Sequence, residues 1–423
     1  MIDLDAKKLT GRDASMESTV DSRGLAGMAS QLVIPQLLEN SDFAHAVCPA
    51  CHGSAKHLTH WEFSGLGDSI FNYVGNFFSC GNCGLVYILN IDDARLSRFY
   101  LEECSYFEKA HFDVASPANS QKYAAYRNFI VSRGLANVRV ADIGCGRGGF
   151  LNWLKRGGWD AECCGVDIDA RSIPRDDGGV LFERGQALDL PFVDNSQSLL
   201  TYFHVVEHIR DIDNLLAEAF RTLEAGGHLL IEVPDAENYG AITIGSAFWI
   251  SIREHVYHFS PCSLERVLRR HGFSVIEMVQ QILPTPEFVY PSLMLLARKD
   301  AHGISMKAPS RGNVASFVLE SKRALQHQVE RVNMLFAKYP KVTFWGCSAE
   351  LLSLLPLVQT DKASICDASE QKQKCRYKQL PIRNPEDVEP EGVLVIAPYL
   401  HGEAIERAAL RIGWRPEAIV KLN

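Results

Sequence analysis

The chain has 423 residues, with 43 Lys and Arg against 51 Asp and Glu, a formal net charge of −8 and 47% hydrophobic residues. That length predicts two or three domains, each able to bury its own core, and the acidic balance excludes a global attraction to nucleic acid or to an anionic membrane surface. No apolar run reaches membrane-spanning length and the start lacks the apolar core of a signal peptide, so the expected location is the cytoplasm.

In chain order, residues 1–44 are polar and read as a flexible tail. Residues 45–115 carry four of the 12 cysteines as two CxxC turns, Cys48-Pro-Ala-Cys51 and Cys80-Gly-Asn-Cys83. In a long chain without a signal such pairs predict thiolates around one metal ion, not disulfides. Four thiolates fill a tetrahedral Zn2+ and leave no open position, so the expected site is structural. His52 and His60 are spare nitrogen donors nearby. The aromatic cluster of Tyr100, Tyr106, Phe107 and Phe112 then leads into a predicted helix over 118–133.

Residues 116–298 read as one α/β domain. A buried strand from Val138 breaks at Asp142-Ile-Gly144-Cys145-Gly146-Arg-Gly148-Gly into a helix. Glycines there admit a ligand close to the backbone, and the helix start presents unpaired N–H groups. The spacing also fits the GxGxxG of dinucleotide-binding folds. A second strand ends at Asp167-Ile168, where a carboxylate accepts ribose hydroxyls. Next come Ala187-Leu188-Asp-Leu-Pro, then Phe203-His204-Val-Val-Glu-His208, a helix with Arg221-Thr-Leu-Glu-Ala-Gly-Gly227, and a strand over 228–233.

As an ordered set these segments resemble the motifs of class I S-adenosylmethionine (SAM) methyltransferases. The resemblance implies a Rossmann-like core and a SAM site built from Asp142, Gly144, Cys145, Gly146, Gly148, Asp167, Ile168, Ala187, Leu188 and His204. Asp142 suits a ligand bearing a sulfonium and an ammonium.

Further on, Arg253-Glu254-His255-Val-Tyr257-His-Phe-Ser260 precedes a helix predicted over 262–271, with Ser260 as N-cap and Pro261 at the first helical position. A carboxylate and an imidazole on an irregular segment suit proton transfer near neutral pH. Residues 299–340 read as a Gly, Pro and Ser-rich linker and a long helix with Leu325, Val329 and Val332 on one face. Residues 341–423 read as a smaller α/β domain with strands over 341–345, 363–367 and 393–397, and with Gly346 in place of a second GxG.

The order of cysteine module, SAM domain and C-terminal half-Rossmann domain resembles the sugar C-methyltransferases of deoxysugar biosynthesis. That resemblance implies a nucleotide-linked 4-keto-deoxysugar acceptor and a catalytic set of His208, Glu254 and His255. The family's tyrosine before the Glu-His pair falls on Ile252, so Tyr257 or Tyr106 would have to replace it. Ala349-Glu350 stands where the family tends to a lysine-glycine pair. The implied chemistry is enolate formation by His255, polarised by Glu254 or His208, followed by attack on the methyl group.

The alternatives are O- or N-methylation of another small acceptor, a zinc-containing RNA methyltransferase, and a SAM-binding module without turnover. The RNA reading needs clustered Lys and Arg, which here are interspersed with acids.

Overall fold

The computed structural model describes residues 46–104, 116–169, 171, 178–245, 247–300 and 312–422. The tail over 1–44, Tyr106, Phe107, Phe112 and the linker over 301–311 lie outside them.

Four strands open the fold: β1 (Ala46–Val47), β2 (Ser54–Phe63), β3 (Tyr73–Cys80) and β4 (Val86–Ile88). They form an antiparallel sheet, with one cysteine pair after β1 and the other at the end of β3. Helix α1 (Asp93–Arg98) follows, its first turn capped by the Asp92 carboxylate accepting from Arg95 N at 2.8 Å.

Helix α2 (Pro117–Val131) starts on the Ser116 side chain, with Pro117 at the first helical position. Then come β5 (Val140–Ile143), α3 (Gly149–Arg156), β6 (Cys163–Asp167), β7 (Leu181–Arg184), β8 (Gln197–Phe203), α4 (Ile212–Thr222) and β9 (Leu223–Pro234). Helix α4 stops earlier and β9 starts earlier than the Gly226-Gly227 pair suggests. The chain continues through α5 (Phe248–Ser251), β10 (Tyr257–His258), α6 (Pro261–Arg270), β11 (Phe273–Pro284) and β12 (Val289–Lys299).

Seven of these strands make one sheet in the order β11-β12-β9-β8-β5-β6-β7. All neighbours from β9 to β7 are parallel, whereas β12 runs antiparallel to both β9 and β11. This is the expected Rossmann-like α/β arrangement. Its parallel centre explains the apolar runs: all four residues of β5 are buried, as a strand covered on both faces requires. Helix α3 buries Phe150, Leu151 and Leu154 against the sheet, about 1.5–3 kcal/mol for each side chain. The β11–β12 hairpin was not resolved as such in the sequence.

Helix α7 (Val314–Lys338) buries Val318, Leu325, Val332 and Phe336, so the expected apolar face is present, with Val329 at its margin. The last region holds β13 (Val342–Trp345), α8 (Ala349–Leu354), β14 (Ala363–Cys366), α9 (Glu370–Gln373), β15 (Arg376–Tyr377), β16 (Leu380–Arg383), β17 (Val393–Ile396), α10 (Gly402–Arg411) and β18 (Ile419–Lys421). Its sheet order is β15-β16-β14-β13-β17-β18, parallel except at β15. The three expected strands are thus half of a six-stranded sheet.

One strand crosses between regions. β10, two residues after His255, pairs with β4 of the cysteine module (Tyr257 with Tyr87, His258 with Val86). Residues 43–423 form one compact unit. No helix among the described residues is long and apolar enough to cross a membrane.

Candidate functional site

The carboxyl ends of β5, β6, β8 and β9 define one edge of the seven-stranded sheet, the edge where open α/β sheets bind ligands. At β5 the chain turns with Gly144, Gly146 and Gly148 all at positive φ (72°, 52° and 65°). A Cβ on Gly144 would lie 2.5 Å from Val205 Cγ2, and one on Gly148 would lie 2.2 Å from Phe182 Cζ. The turn therefore needs glycine for both conformation and space.

The turn is braced from β6. Gly144 N and Cys145 N donate to Val166 O (2.7 and 3.1 Å), and Gly146 N donates to Asp167 Oδ2 at 2.8 Å. Asp169 N donates to Asp167 Oδ1, also at 2.8 Å. Asp167, assigned from sequence to ribose hydroxyls, thus also supports the glycine turn, and each oxygen retains a lone pair for a ligand. Burial raises its carboxyl pKa. Ile168, Ala187 and Leu188 are half-buried, the last two in the turn after β7. A Gly148→Ala variant should lose roughly 1–2 kcal/mol from the left-handed backbone alone, plus the cost of moving Phe182, readable in urea unfolding.

Asp142, at the third position of β5, is 4% exposed and accepts from Thr201 Oγ1 at 2.7 Å. Burial pushes its carboxyl up to about 7, against the Thr201 hydrogen bond. An acid in that state favours a cationic partner.

Beyond β8 stands a cluster of imidazoles and carboxylates. His204 adopts φ 57°, uncommon for a residue with a side chain. Its Nδ1 lies 3.2 Å from Glu207 Oε1 and its Nε2 3.1 Å from Glu232 Oε2. Burial lowers its pKa, but Glu232 and Glu207 outweigh that and hold it above the ordinary histidine value. With both ring nitrogens against carboxylates, the protonated form of His204 is favoured. Tyr126 Oη donates to the same Glu232 oxygen at 3.2 Å.

His208 Nδ1 faces the Glu254 carbonyl oxygen at 3.2 Å, so that nitrogen carries the proton, and Nε2 lies 3.7 Å from Glu207 Oε1. The His255 ring stands edge-on to His208, with centroids 4.8 Å apart. His255 is 7% exposed and, among the described residues, its Nδ1 has no hydrogen-bond partner. Burial, reinforced by the neighbouring His208, His258 and His204, holds its pKa well below 6.5, so the ring is neutral.

The structure brings His208 and His255 together, but Glu254 meets His208 through its backbone. The carboxylate beside His208 is Glu207, not Glu254. The Glu254 side chain acts instead on Tyr73 and Tyr100. Tyr100 stands edge-on to His208 at 5.9 Å, with its hydroxyl buried and, among the described residues, unpartnered. Tyr257, a candidate replacement for the tyrosine missing at Ile252, donates to Arg210 O at 2.6 Å and accepts from Arg210 Nη1 at 2.9 Å. Its hydroxyl is thereby committed to α4's approach and away from the histidines.

Sequence reasoning missed Glu207, Glu232 and Tyr126. Glu232 had a readable signal, a single acid inside the apolar run Leu229–Val233, because a charge in a buried strand needs a partner.

The four cysteine sulfurs lie within 4.8 Å of one another, with Cys48 and Cys83 Sγ at 3.6 Å and Cys51 and Cys80 Sγ at 3.5 Å. A tetrahedral ion with Zn–S bonds of about 2.3 Å requires sulfurs about 3.8 Å apart. Asn82 N and Cys83 N donate to Cys80 Sγ at 3.3 and 3.5 Å, and Gly84 turns the chain back at φ 76°. The donor set therefore fits Zn2+. Arg270 fastens the loop to α6, donating to Pro49 O at 2.6 Å.

In the C-terminal sheet, Asp367 accepts from Cys347 N and Ser369 N (2.7 and 2.9 Å), a brace like that of Asp167. Here Lys372 already pairs with the acid at 3.0 Å. Glu350 accepts from Tyr399 N at 3.3 Å.

Residues 98–278 match the family described as a methyltransferase domain. The chain is 30% identical over 102 residues to ajmaline N-methyltransferase of Rauvolfia serpentina, covering 22% of this chain and 34% of that protein. It is 25% identical over 201 residues to methyltransferase GfsG of Streptomyces halstedii, covering 42% and 69%. A solved SAM-dependent methyltransferase from Mesorhizobium loti aligns with 42% of this chain and 97% of its own at 18% identity and a TM-score of 0.34. The chain thus spans about a third of the length of the first of these relatives.

Proposed function

We propose that this chain, which carries a methyltransferase domain over residues 98–278, transfers a methyl group from SAM to a small-molecule acceptor. The observation that carries the reading is a neutral, buried His255 with an unpartnered nitrogen, at the same sheet edge as the glycine turn.

The residues that would hold the cofactor are the turn from Gly144 to Gly148, with Asp142, Asp167, Ile168, Ala187 and Leu188. SAM, when bound, supplies a methyl group made electrophilic by the adjacent sulfonium. His255 takes the proton that the acceptor must lose, and its depressed pKa keeps it in the accepting form. Glu207 and Glu254 O orient His208 beside it. Negative charge developing on the acceptor meets the imidazolium of His204 and the buried hydroxyl of Tyr100 in a site shielded from water. Cys48, Cys51, Cys80 and Cys83 would hold a structural Zn2+.

The acceptor we favour is a nucleotide-linked 4-keto-deoxysugar, methylated at the carbon beside the ketone. A carbon acid of this kind needs a dedicated base, and the three-part organisation around that base supports the reading. The test is incubation with labelled SAM and a panel of nucleotide 4-ketosugars in D2O. Deuterium entering beside the ketone and a carbon-bound methyl are expected. A methyl found only on oxygen or nitrogen would replace this acceptor by the second reading, which the N-methyltransferase named above favours, since a neutral histidine also deprotonates O–H and N–H groups.

A further inference from the structure

Three side chains able to ligate a metal converge beyond β8 from two separate segments. Glu207 and His208 lie in the short turn after β8, and His255 lies two residues before β10. Val256 N donates to Glu207 O at 2.9 Å, which holds the two segments together. One ligand atom from each of Glu207, His208 and His255 falls within 4.8 Å of the other two. Among the described residues, no hydrogen bond joins the three. His208 Nε2 and Glu207 Oε1 stand 3.7 Å apart, while Glu207 Oε2 and His255 Nδ1 are buried without a partner. With Glu207 1% and His255 7% exposed, bulk water does not supply what is missing.

The atoms that face one another are acceptors. The His208 Nδ1 proton is spent on the Glu254 carbonyl oxygen at 3.2 Å, which leaves Nε2 as a lone pair towards Glu207. His255 in its neutral form likewise offers a lone pair, and the Glu207 carboxylate is oriented by His204 Nδ1 at 3.2 Å from its Oε1. A single bridging water has two protons to give, so it cannot satisfy three acceptors, whereas one cation satisfies all of them. Two imidazole nitrogens and a carboxylate form the donor set of open zinc and non-haem iron sites. The outer hydrogen bonds that fix such ligands are present too, from His208 to Glu254 O and from His204 to Glu207. Ligand atoms about 2.1 Å from a tetrahedral ion stand about 3.4 Å apart, close to the 3.7 Å between Glu207 and His208.

We propose that Glu207, His208 and His255 bind a divalent transition ion of the zinc class, and that the bound ion stops methyl transfer. Imidazole nitrogens select Zn2+, Co2+ or Ni2+ over Mg2+ and Ca2+. A neutral imidazole has a single lone pair, which takes either a metal ion or a proton, so a His255 that holds the ion cannot act as a base. The metal site stands on geometry, and only the arrest rests on the base role proposed above.

The test is calorimetric titration of the full chain, loaded with one Zn2+ per molecule, with further Zn2+ and with Mg2+. Wild type should take up one more equivalent of Zn2+ and no Mg2+. Glu207→Gln and His255→Gln should each weaken the second site by more than about 100-fold, beyond the cost of losing an outer-shell partner, while the first Zn2+ stays bound as the sign of an intact fold. Co2+ added to the zinc-loaded wild-type chain should give visible d–d bands without thiolate charge-transfer absorption, a readout that needs no variant. A wild-type chain that takes no second equivalent overturns the site. A second equivalent held equally by both variants, or Co2+ bands with thiolate absorption, means an adventitious ion only and also overturns it. With the second equivalent bound, methyl transfer should fall by about 10²–10⁴-fold, the contribution of a general base, and return when a chelator removes that ion. Full transfer with the site filled overturns the arrest and leaves the site. No transfer to any acceptor with the site freed of metal overturns the function reading, and the arrest with it, while the metal site stands.

Discussion

Replacing His255 with alanine is expected to lower methyl transfer by about 10²–10⁴-fold, the range for a general base, while SAM affinity stays near wild type. The ring is buried beside His208 and does not touch the glycine turn, so its loss removes a proton acceptor and leaves the cofactor cradle standing. Wild-type kcat/KM should also show a particular acid limb. Burial and the neighbouring imidazoles hold the His255 pKa well below 6.5, so its neutral, active form survives as pH falls through that value. Activity should fall only at more acidic pH. In His208→Gln, one of the neighbours that lower the pKa is gone, and the limb should move up towards 6.5. A limb already at 6.5 in wild type, or full turnover in His255→Ala, would remove His255 from the base role.

The Cys80→Ser variant is expected to lose Zn2+ binding and to loosen the His255 segment at the same time. Structural zinc contributes on the order of 10 kcal/mol in small zinc modules, comparable with the whole stability of a domain. Cys80 closes β3, and Cys80 Sγ receives the backbone N–H groups of the second turn. The sheet that begins at these cysteines ends at β10, where Ile88 N also donates to Val256 O at 2.9 Å. Metal analysis should show loss of Zn2+, and hydrogen exchange should accelerate across residues 254–258. Retained protection there in a metal-free variant would mean that the module and the His255 segment are independent.

Much of the region over 116–298 was legible because its signals are local. An apolar strand that meets a glycine turn and then a helix has few other solutions, and Ser260-Pro261 announced α6 through its own capping chemistry. The paired CxxC turns were legible for the same reason, since three-residue spacing brings two sulfurs to one side of a turn. The β11–β12 hairpin was missed because Val289–Lys299, buried on nearly every residue, shows no alternation to distinguish strand from helix. Tyr257 was a reasonable substitute for the tyrosine absent at Ile252 by sequence distance, but Arg210, 47 residues away, holds its hydroxyl.

By itself the sequence determined the α/β class, the glycine turn, and the two CxxC pairs, because each depends on residues within a few positions or on one strand-turn-helix unit. The tertiary structure alone decided which charges meet. It placed His204 between Glu207 and Glu232, set Glu207 rather than Glu254 beside His208, and tied the His255 segment to the cysteine module through β10. The pairings of His204 with Glu232 and of β10 with β4 join residues tens to hundreds of positions apart. They are set by sheet register and burial, and burial out of water is also what leaves His255 neutral.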